Sequence, residues 1–494
     1  MKNNSVIKPI AAILIMALFV SFCFDLSVDT IRISSYAFLI VCTALVLAAF
    51  CKNLPGTAVF YTMVAGVLIR LTYVMYTPVW CRQHDVIDFG AGEGHAAYME
   101  YILSHRALPD FDPRSVWAFF QPPLHHMISA AWMWLNIRAG VPDAHMHKNV
   151  QVLPLCYMCV LMIFVYAICR ELNMKRAGTL VTMLLVASHP IYILMSGSIN
   201  NDALSVMLTV IALYVAILWY MYPTTGKIIG LAAVIGLAMS AKLSAGLLAF
   251  PVGLMMIYKI VSDTGRFKDK ARVISYILEL IPFALIVIPL GLWWPIRNKL
   301  MFDMPMGYIP EVGEDIGQAG LVSRLFDVRT ASPFLYMKSN GFAYDEYNLI
   351  LATLKSSLFG EGDFSKLPFV MTVIGWILFA AAICAVIVKT VATVRICASS
   401  EAGPDKGVKI LLGVAAAAFA IGYIAFALKG GNLSAMDMRY SAAAVSVLAV
   451  FAGLWYDRLG VLGRRAAQAV IMTLTSVFAA TAVIFYILVG MYTV

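Results

Sequence analysis

The chain has 494 residues, 62% of them hydrophobic and 13% charged, with a mean hydropathy of +0.85. Soluble globular domains carry about a quarter charged residues, so this composition excludes them and points to a membrane. Apolar runs of about 20 residues recur, and alternating segments of about 10 residues do not. The fold class is therefore an all-α integral membrane bundle rather than a β-barrel.

Apolar windows place spans near 7–24, 31–51, 57–78, 150–170, 177–197, 202–223, 228–241, 244–260, 273–296, 368–392, 408–428, 439–457 and 466–490, about thirteen in all. The first run, from Ile7 to Phe24, has the Lys2 and Lys8 flank of a signal peptide. Its end, "VSFCFDL", offers no small-x-small cleavage site, so it is expected to stay as the first span. Cys156 and Cys159 form a CxxC without partners at zinc spacing and are expected to pack in the core.

A cytoplasmic N-terminus puts Lys2, Lys8, Arg170, Lys175, Arg176, Arg266, Lys268, Lys270, Arg272, Arg464 and Arg465 on the inner side. That is the arrangement the positive-inside rule favours. The net charge of +9 then reflects orientation in a plasma membrane, and no nucleic-acid partner is expected. The chain divides into N-terminal helices (1–78), a first outer loop (79–149), central helices (150–296), a second outer loop (297–367) and C-terminal helices (368–494).

The first outer loop opens with "RQHDVIDFGAGEGHAAYMEYI", unusually polar for this chain. Gly94 to Arg106 predicts a short helix, stopped by "ALPDFDP". After the two prolines of "QPPLHHMISAAWMWLN", Leu124, Met127, Ile128, Ala131, Trp132 and Leu135 recur at helical spacing, which predicts a helix lying at the outer interface.

Under this topology the unusual polar residues meet at one membrane face. They are Arg82, His84, Asp85, Asp88, Glu93, His95, His125 and His126 from the first loop, and Asn200, Asn201 and Asp202 of "SINNDAL". Lys242 of "SAKLSAG", Arg297 and Asn298 of "WWPIRNKL", and Asp437 and Arg439 of "NLSAMDMRY" complete the set. Each has an ordinary reading as cap, anchor or packing residue. Lys242 resists it most, because an ammonium between two apolar runs is costly without an anion or water. Arg70, mid-run, reads as a structural or snorkelling residue.

Lys and Arg are suited to a phosphate, and a nearby carboxylate to taking a proton from an alcohol. Together they describe glycosyl transfer from a polyprenyl-phosphate sugar, whose phosphate leaves without a protein acid. A lipid transporter or flippase, or a polymerase or ligase using a lipid-diphosphate donor, would use similar charges. The one-sided constellation and the lack of an inverted repeat weigh against transport. Asp85, Glu93 and the histidines could hold a divalent cation, although no HExxH or comparable signature is present.

The motifs "RQHD", "GHAAYMEYILSHRALPDFDP", "FFQPPLHH", "NNDAL", "AKLS", "RN" before "DMPMGYIP", and "DMRY", in that order, resemble membrane glycosyltransferases of the GT-C superfamily. The nearest flavour is family 39, which includes protein mannosyltransferases and the lipid A aminoarabinose transferase, and the likeness runs over residues 57 to 457. It implies a GT-C bundle in which an acid of the first outer loop deprotonates an acceptor hydroxyl for inverting attack on the anomeric carbon. The implied partners are a polyprenyl-phosphate sugar, membrane lipids and a lipid, glycan or protein acceptor. Many relatives place an Asp-Glu pair where this chain has Gly92-Glu93, so Asp85, Asp88 and Glu93 all compete as base. Asp85 is favoured because Arg82 and His84 flank it. Lys242, Arg297 and Arg439 match positions where the family's cations meet the lipid phosphate.

Overall fold

The computed structural model describes residues 55–81, 86–310, 319–328, 346–362, 364, 367–399, 403–429 and 433–492. The expected spans 7–24 and 31–51 lie outside the described residues. All regular structure among the described residues is helical. Fifteen helices carry the description: α1 Pro55–Tyr76, α2 Gly94–His105, α3 Leu124–Arg138, α4 Val152–Glu171, α5 Arg176–Ala187, α6 Pro190–Met195, α7 Asp202–Met221, α8 Thr225–Ala241, α9 Ala249–Asp263, α10 Lys270–Phe302, α11 Leu349–Phe359, α12 Phe369–Ala398, α13 Lys406–Leu428, α14 Ala442–Val461 and α15 Arg465–Tyr492.

Nine helical segments among the described residues are long and apolar enough to cross a membrane, and the chain is a multi-pass membrane protein. Two expected spans are shorter than the hydrocarbon thickness requires. Residues 228–241 fall in α8, a shorter apolar helix. The run 177–197 is broken into α5 and α6 at Ser188 and His189, because Pro190 cannot donate to the preceding turn and starts a new helix instead.

The exposed carbonyls at that break explain Arg70. Its guanidinium, fully buried on α1, donates to Val186 O at 3.1 Å, Ala187 O at 2.6 Å and Gly66 O at 2.7 Å. The two carbonyls left without helical partners at the break are thereby satisfied in an apolar interior, where each would otherwise cost several kcal/mol. Of the two expected readings, structural or snorkelling, Arg70 takes the structural one.

Burial orders the bundle. The helix around α4 is almost wholly enclosed, and α4, α5, α7 and α14 form the centre, with α1 and α15 packed on α5. By contrast α10 leans on α8 and presents Ile274, Ile277, Leu278, Ile281, Leu285 and Ile288 outward. Such a stripe is suited to an apolar surrounding such as lipid. Cys156 and Cys159 are buried among apolar neighbours, as expected.

At one end of the bundle lie the segments that build the site. Helices α2 and α3 form where expected and pack on each other. The expected second outer loop proves partly helical: α10 runs on to Phe302, and α11 occupies 349–359.

Candidate active site

Asp202 is the first residue of α7, and its turn is held from two sides. Asn201 Nδ2 donates to Ala241 O at 2.7 Å, at the end of α8, and to Gln121 Oε1 of the first loop at 3.3 Å. Asn200 Oδ1 accepts the Asp202 N–H at 3.1 Å. Lys242 follows α8 immediately, in extended backbone (φ −154°, ψ 124°) before the short 3-10 turn Leu243–Leu248. The helix therefore stops where its next residue can reach sideways, and the Lys242 ammonium pairs with the Asp202 carboxylate.

Arg439 reaches the same place from the loop between α13 and α14. Asp437 Oδ1 accepts the Arg439 N–H at 2.8 Å and caps the 3-10 turn Met438–Ser441. The Arg439 guanidinium stands 3.9 Å from Asp202 and 3.9 Å from Glu361, donates to Tyr440 Oη at 3.0 Å and lies over that ring. The Lys242 ammonium is 4.6 Å from the centre of the same ring. Tyr440 thus carries two cations on one aromatic surface. Asp202, Asp437, Glu361 and Arg439 are all less than a tenth exposed. Burial pushes the Asp437 carboxyl up to about 6, opposed by Arg439 and assisted by Glu361 and Asp202.

Helix α11 steadies this loop. Ser356 Oγ accepts the Met438 N–H at 2.9 Å, Thr353 shares a 2.6 Å hydrogen bond with Tyr423 Oη, and Tyr423 donates to Met436 O at 2.6 Å. Glu361 follows the C-terminal end of the same helix.

The three histidines form a bridge from the first loop to Asp202. His95 Nδ1 and His126 Nε2 share a hydrogen bond of 2.8 Å, and Tyr98 stacks on His126 with ring centroids 4.3 Å apart. His125 Nε2 donates to Ile199 O at 2.7 Å, just before the Asn200–Asp202 turn. That bond leaves Nδ1 of the neutral ring as a buried lone pair. Burial pushes His125 down to about 4 and His126 well below its ordinary range. Both are neutral at pH 7, a poor state for holding an anion by charge.

Two acids of the first loop, Asp88 and Glu93, lie just ahead of α2, the helix that carries His95. Gly90, Gly92 and Gly94 all adopt positive φ (83°, 81° and 85°). At Gly94 the requirement is steric as well, since a Cβ would lie 2.5 Å from Val86 O. The tight run ends at Glu93, the residue before α2, whose carboxylate is exposed and makes no capping bond. Asp88 is exposed too, and its Oδ1 accepts the Phe89 N–H at 2.8 Å. Arg82, His84 and Asp85 lie outside the described residues.

Arg297 and Asn298 are used differently from Lys242 and Arg439. Arg297 donates to Asn298 Oδ1 at 2.9 Å and to Pro109 O, with its guanidinium 5.0 Å from the Trp294 ring. Together with the Trp294 bond to Phe120 O at 3.1 Å, this fastens the first loop to the end of α10. Among the described residues no three His, Cys, Asp or Glu side chains are arranged to hold a metal ion. Glu361 and Tyr440 were not selected from the sequence. Tyr440 follows Arg439 directly, whereas Glu361, in "FGEGDF", carries no local signal that separates it from a loop acid.

Residues 144–294 match the family model described as dolichyl-phosphate-mannose-protein mannosyltransferase. The matched stretch includes Asp202 and Lys242. Among solved structures, the chain is similar to ArnT from Cupriavidus metallidurans bound to undecaprenyl phosphate, with 13% identity and a TM-score of 0.36 over 80% of this chain and 77% of that one. For the apo state of the same protein the values are 15%, 0.37, 83% and 74%. Overlaps this loose carry no argument about mechanism. No curated protein matches the chain. The resemblance to GT-C membrane glycosyltransferases read from the motifs is met by the mannosyltransferase family match.

Proposed function

We propose that this protein is an inverting glycosyltransferase that moves a sugar from a polyprenyl-phosphate-linked donor to a hydroxyl acceptor at the extracytoplasmic face of the plasma membrane. The observation that carries the reading is the meeting of Lys242 and Arg439 on one tyrosine, beside the Asn200–Asp202 turn, which the histidine bridge joins to the first loop. The stretch containing Lys242 matches a family named for a dolichyl-phosphate-linked mannose donor, which supports the same donor class here.

In this reaction a first-loop carboxylate takes the proton of the acceptor hydroxyl. Asp85 is the favoured base, flanked by Arg82 and His84, with Glu93 and Asp88 as the other candidates. The alkoxide forms its bond to the anomeric carbon as the bond from that carbon to the phosphate oxygen breaks, inverting the configuration. The electron pair leaves on the polyprenyl phosphate, whose oxygens Lys242 and Arg439 stabilise, with Arg297 nearer the loop. General-base assistance of this kind contributes about 10²- to 10⁴-fold.

The test is transfer of radiolabelled sugar from synthetic polyprenyl-phosphate sugars by the detergent-purified protein, with membrane extract as acceptor. Asp85→Asn is expected to lower turnover by about 10²-fold or more. Lys242→Met is expected to lose about 10- to 100-fold, the weight of a charge-assisted hydrogen bond. Loss in Glu93→Gln with activity kept in Asp85→Asn would move the base to Glu93. Absence of turnover with every donor, together with passage of lipid across liposomes, would replace transfer by transport.

A further inference from the structure

The turn between α9 and α10, in "DTGRFKDKAR", takes a backbone shape that its residues do not favour by themselves. Gly265, Arg266 and Phe267 all adopt positive φ (57°, 59° and 68°), a region that costs free energy for a residue with a Cβ. Buried Thr264 holds them there. Its hydroxyl donates to Ile260 O at 2.6 Å and accepts the Phe267 N–H at 3.1 Å, and its carbonyl accepts the Asp269 N–H at 3.1 Å. The Arg266 N–H adds a bond of 2.9 Å to Val261 O. The fixed turn leaves the Phe267 ring 55% exposed, between Arg266 and Lys268.

Charge around that ring is one-sided. Asp263 accepts from Tyr276 Oη at 2.6 Å and pairs with Lys259 at 3.0 Å, while Asp269 Oδ1 accepts the Arg272 N–H at 3.1 Å. Asp405 accepts the Gly407 N–H at 2.9 Å and the Tyr220 hydroxyl. Glu279 lies two turns further along α10, in its apolar stretch. Among the described residues, Arg266, Lys268, Lys270 and Lys406 have no carboxylate at ion-pair distance, and all four are exposed. Lys406 begins α13, which packs on α9, and its ammonium lies 5.6 Å from the centre of the Tyr258 ring. Outward-facing apolar residues start just beyond the cations, with Ile257 on α9 and Ile274, Ile277 and Leu278 on α10. The cations thus stand at the edge of the lipid-facing surface, the level of phospholipid headgroups.

We infer that this turn is a binding site for an anionic phospholipid: Arg266, Lys268, Lys270 and Lys406 hold the headgroup phosphate, and Phe267 enters the boundary between headgroups and acyl chains. In the orientation read from the basic loops the leaflet is the cytoplasmic one, but the site itself does not depend on that sense. Retention of positive charge during insertion accounts for the lysines and arginines. It does not account for an aromatic ring held outward on a left-handed backbone. A lipid accounts for both, because it offers the ring an apolar neighbour beside the phosphate, which a soluble phosphate does not.

The experiment measures, by native mass spectrometry, the apparent Kd of the delipidated full chain in neutral detergent for dioleoyl phosphatidylglycerol and dioleoyl phosphatidylcholine. The anionic lipid is expected to bind about tenfold more tightly or better. Each cation near the surface is worth about fivefold, so Arg266→Gln, Lys268→Gln and Lys270→Gln combined should weaken phosphatidylglycerol binding by about 100-fold. Added salt should weaken it in the parent protein. Phe267→Gly relieves the left-handed backbone, so this variant should melt no lower than the parent yet bind both lipids more weakly. Arg464→Gln with Arg465→Gln removes charge from the turn between α14 and α15 and should leave the affinity unchanged. Equal affinity for the two lipids, or parent-like binding by the triple variant, would overturn the site. An equal loss in the Arg464 and Arg465 variant would replace it by a general effect of charge. Full binding by Phe267→Gly would overturn the part given to the ring, and displacement of the lipid by glycerol phosphate at similar concentration would make the ligand a soluble phosphate instead.

Discussion

His125 shows how one side chain couples the site to stability. Its Nε2 must carry the proton that it gives to Ile199 O, and its buried Nδ1 has nothing to protonate against. Its folded pKa of about 4 lies below the ordinary 6.5. Between these values the unfolded chain binds more protons, so stability is present above pH 6.5 and is lost as pH falls toward 4. The lost contribution is on the order of 3 kcal/mol, at about 1.4 kcal/mol per pKa unit. Thermal unfolding in detergent from pH 7 to 4 should therefore show a falling midpoint. His125→Gln, which keeps a side-chain N–H for Ile199, should shrink that fall; an undiminished fall would show that other groups dominate it. At this scale the sequence was informative where a charge interrupts an apolar run. Asp202, Lys242 and Arg439 stand at such interruptions, and the fold joins them. Glu361 was hidden because a glycine-flanked acid in a polar loop has nothing to distinguish it. Arg297 was legible as a cation, but its partners, Pro109 O and the Trp294 ring, come from chain segments far from it.

Helix pairs in a bilayer gain little from burying apolar surface against one another, so close backbone approach carries more weight. The contact of α5 with α14 is of this kind. A Cβ on Gly453 would lie 2.4 Å from Gly178 O and 2.2 Å from Thr182 Oγ1, and one on Gly178 would meet the Asp457 carboxyl at 2.5 Å. Asp457 in turn accepts the Lys175 N–H at 2.7 Å and the Gly178 N–H at 3.2 Å at the start of α5. Gly453→Ala is expected to destabilise the protein by about 1–3 kcal/mol through overpacking. Gly226→Ala, in the first turn of α8 with nothing near its would-be Cβ, should be neutral or stabilise by up to about 1 kcal/mol. Chemical unfolding in mixed micelles compares the two, and equal effects would show that the α5–α14 contact tolerates a methyl group. Most spans could be placed from the sequence because the length of an apolar run is a local property. The break between α5 and α6 was only half visible: Pro190 announces it, but Arg70, which caps it, lies more than a hundred residues earlier. Helix α11 escaped because its buried Lys355, 3.1 Å from a buried Glu346, made an enclosed helix read as polar loop.

For the whole molecule the orientation decides what chemistry is available. A polyprenyl-phosphate donor presented outside the cell requires the cluster at Asp202, Lys242 and Arg439 to open outward, together with Glu93 and the first loop. The charge distribution argues for that sense: Arg266, Lys268, Lys270 and Arg272 crowd the turn between α9 and α10, at the opposite ends of α8 and α10 from Lys242 and Arg297. Short loops so rich in Lys and Arg are retained on the cytoplasmic side. Single cysteines placed at Glu93 and at Lys268 in a cysteine-free background should therefore react oppositely with a membrane-impermeant maleimide on intact cells. Position 93 should label at once, and position 268 only after the membrane is permeabilised. The reverse pattern would put the site in the cytoplasm, where a soluble nucleotide sugar would be the more accessible donor, and the lipid-phosphate role of Lys242 and Arg439 would lose its rationale. Labelling at 93 that is slowed by farnesyl methyl phosphate would go further, tying the exposed acid of the first loop to the same space that the two cations line.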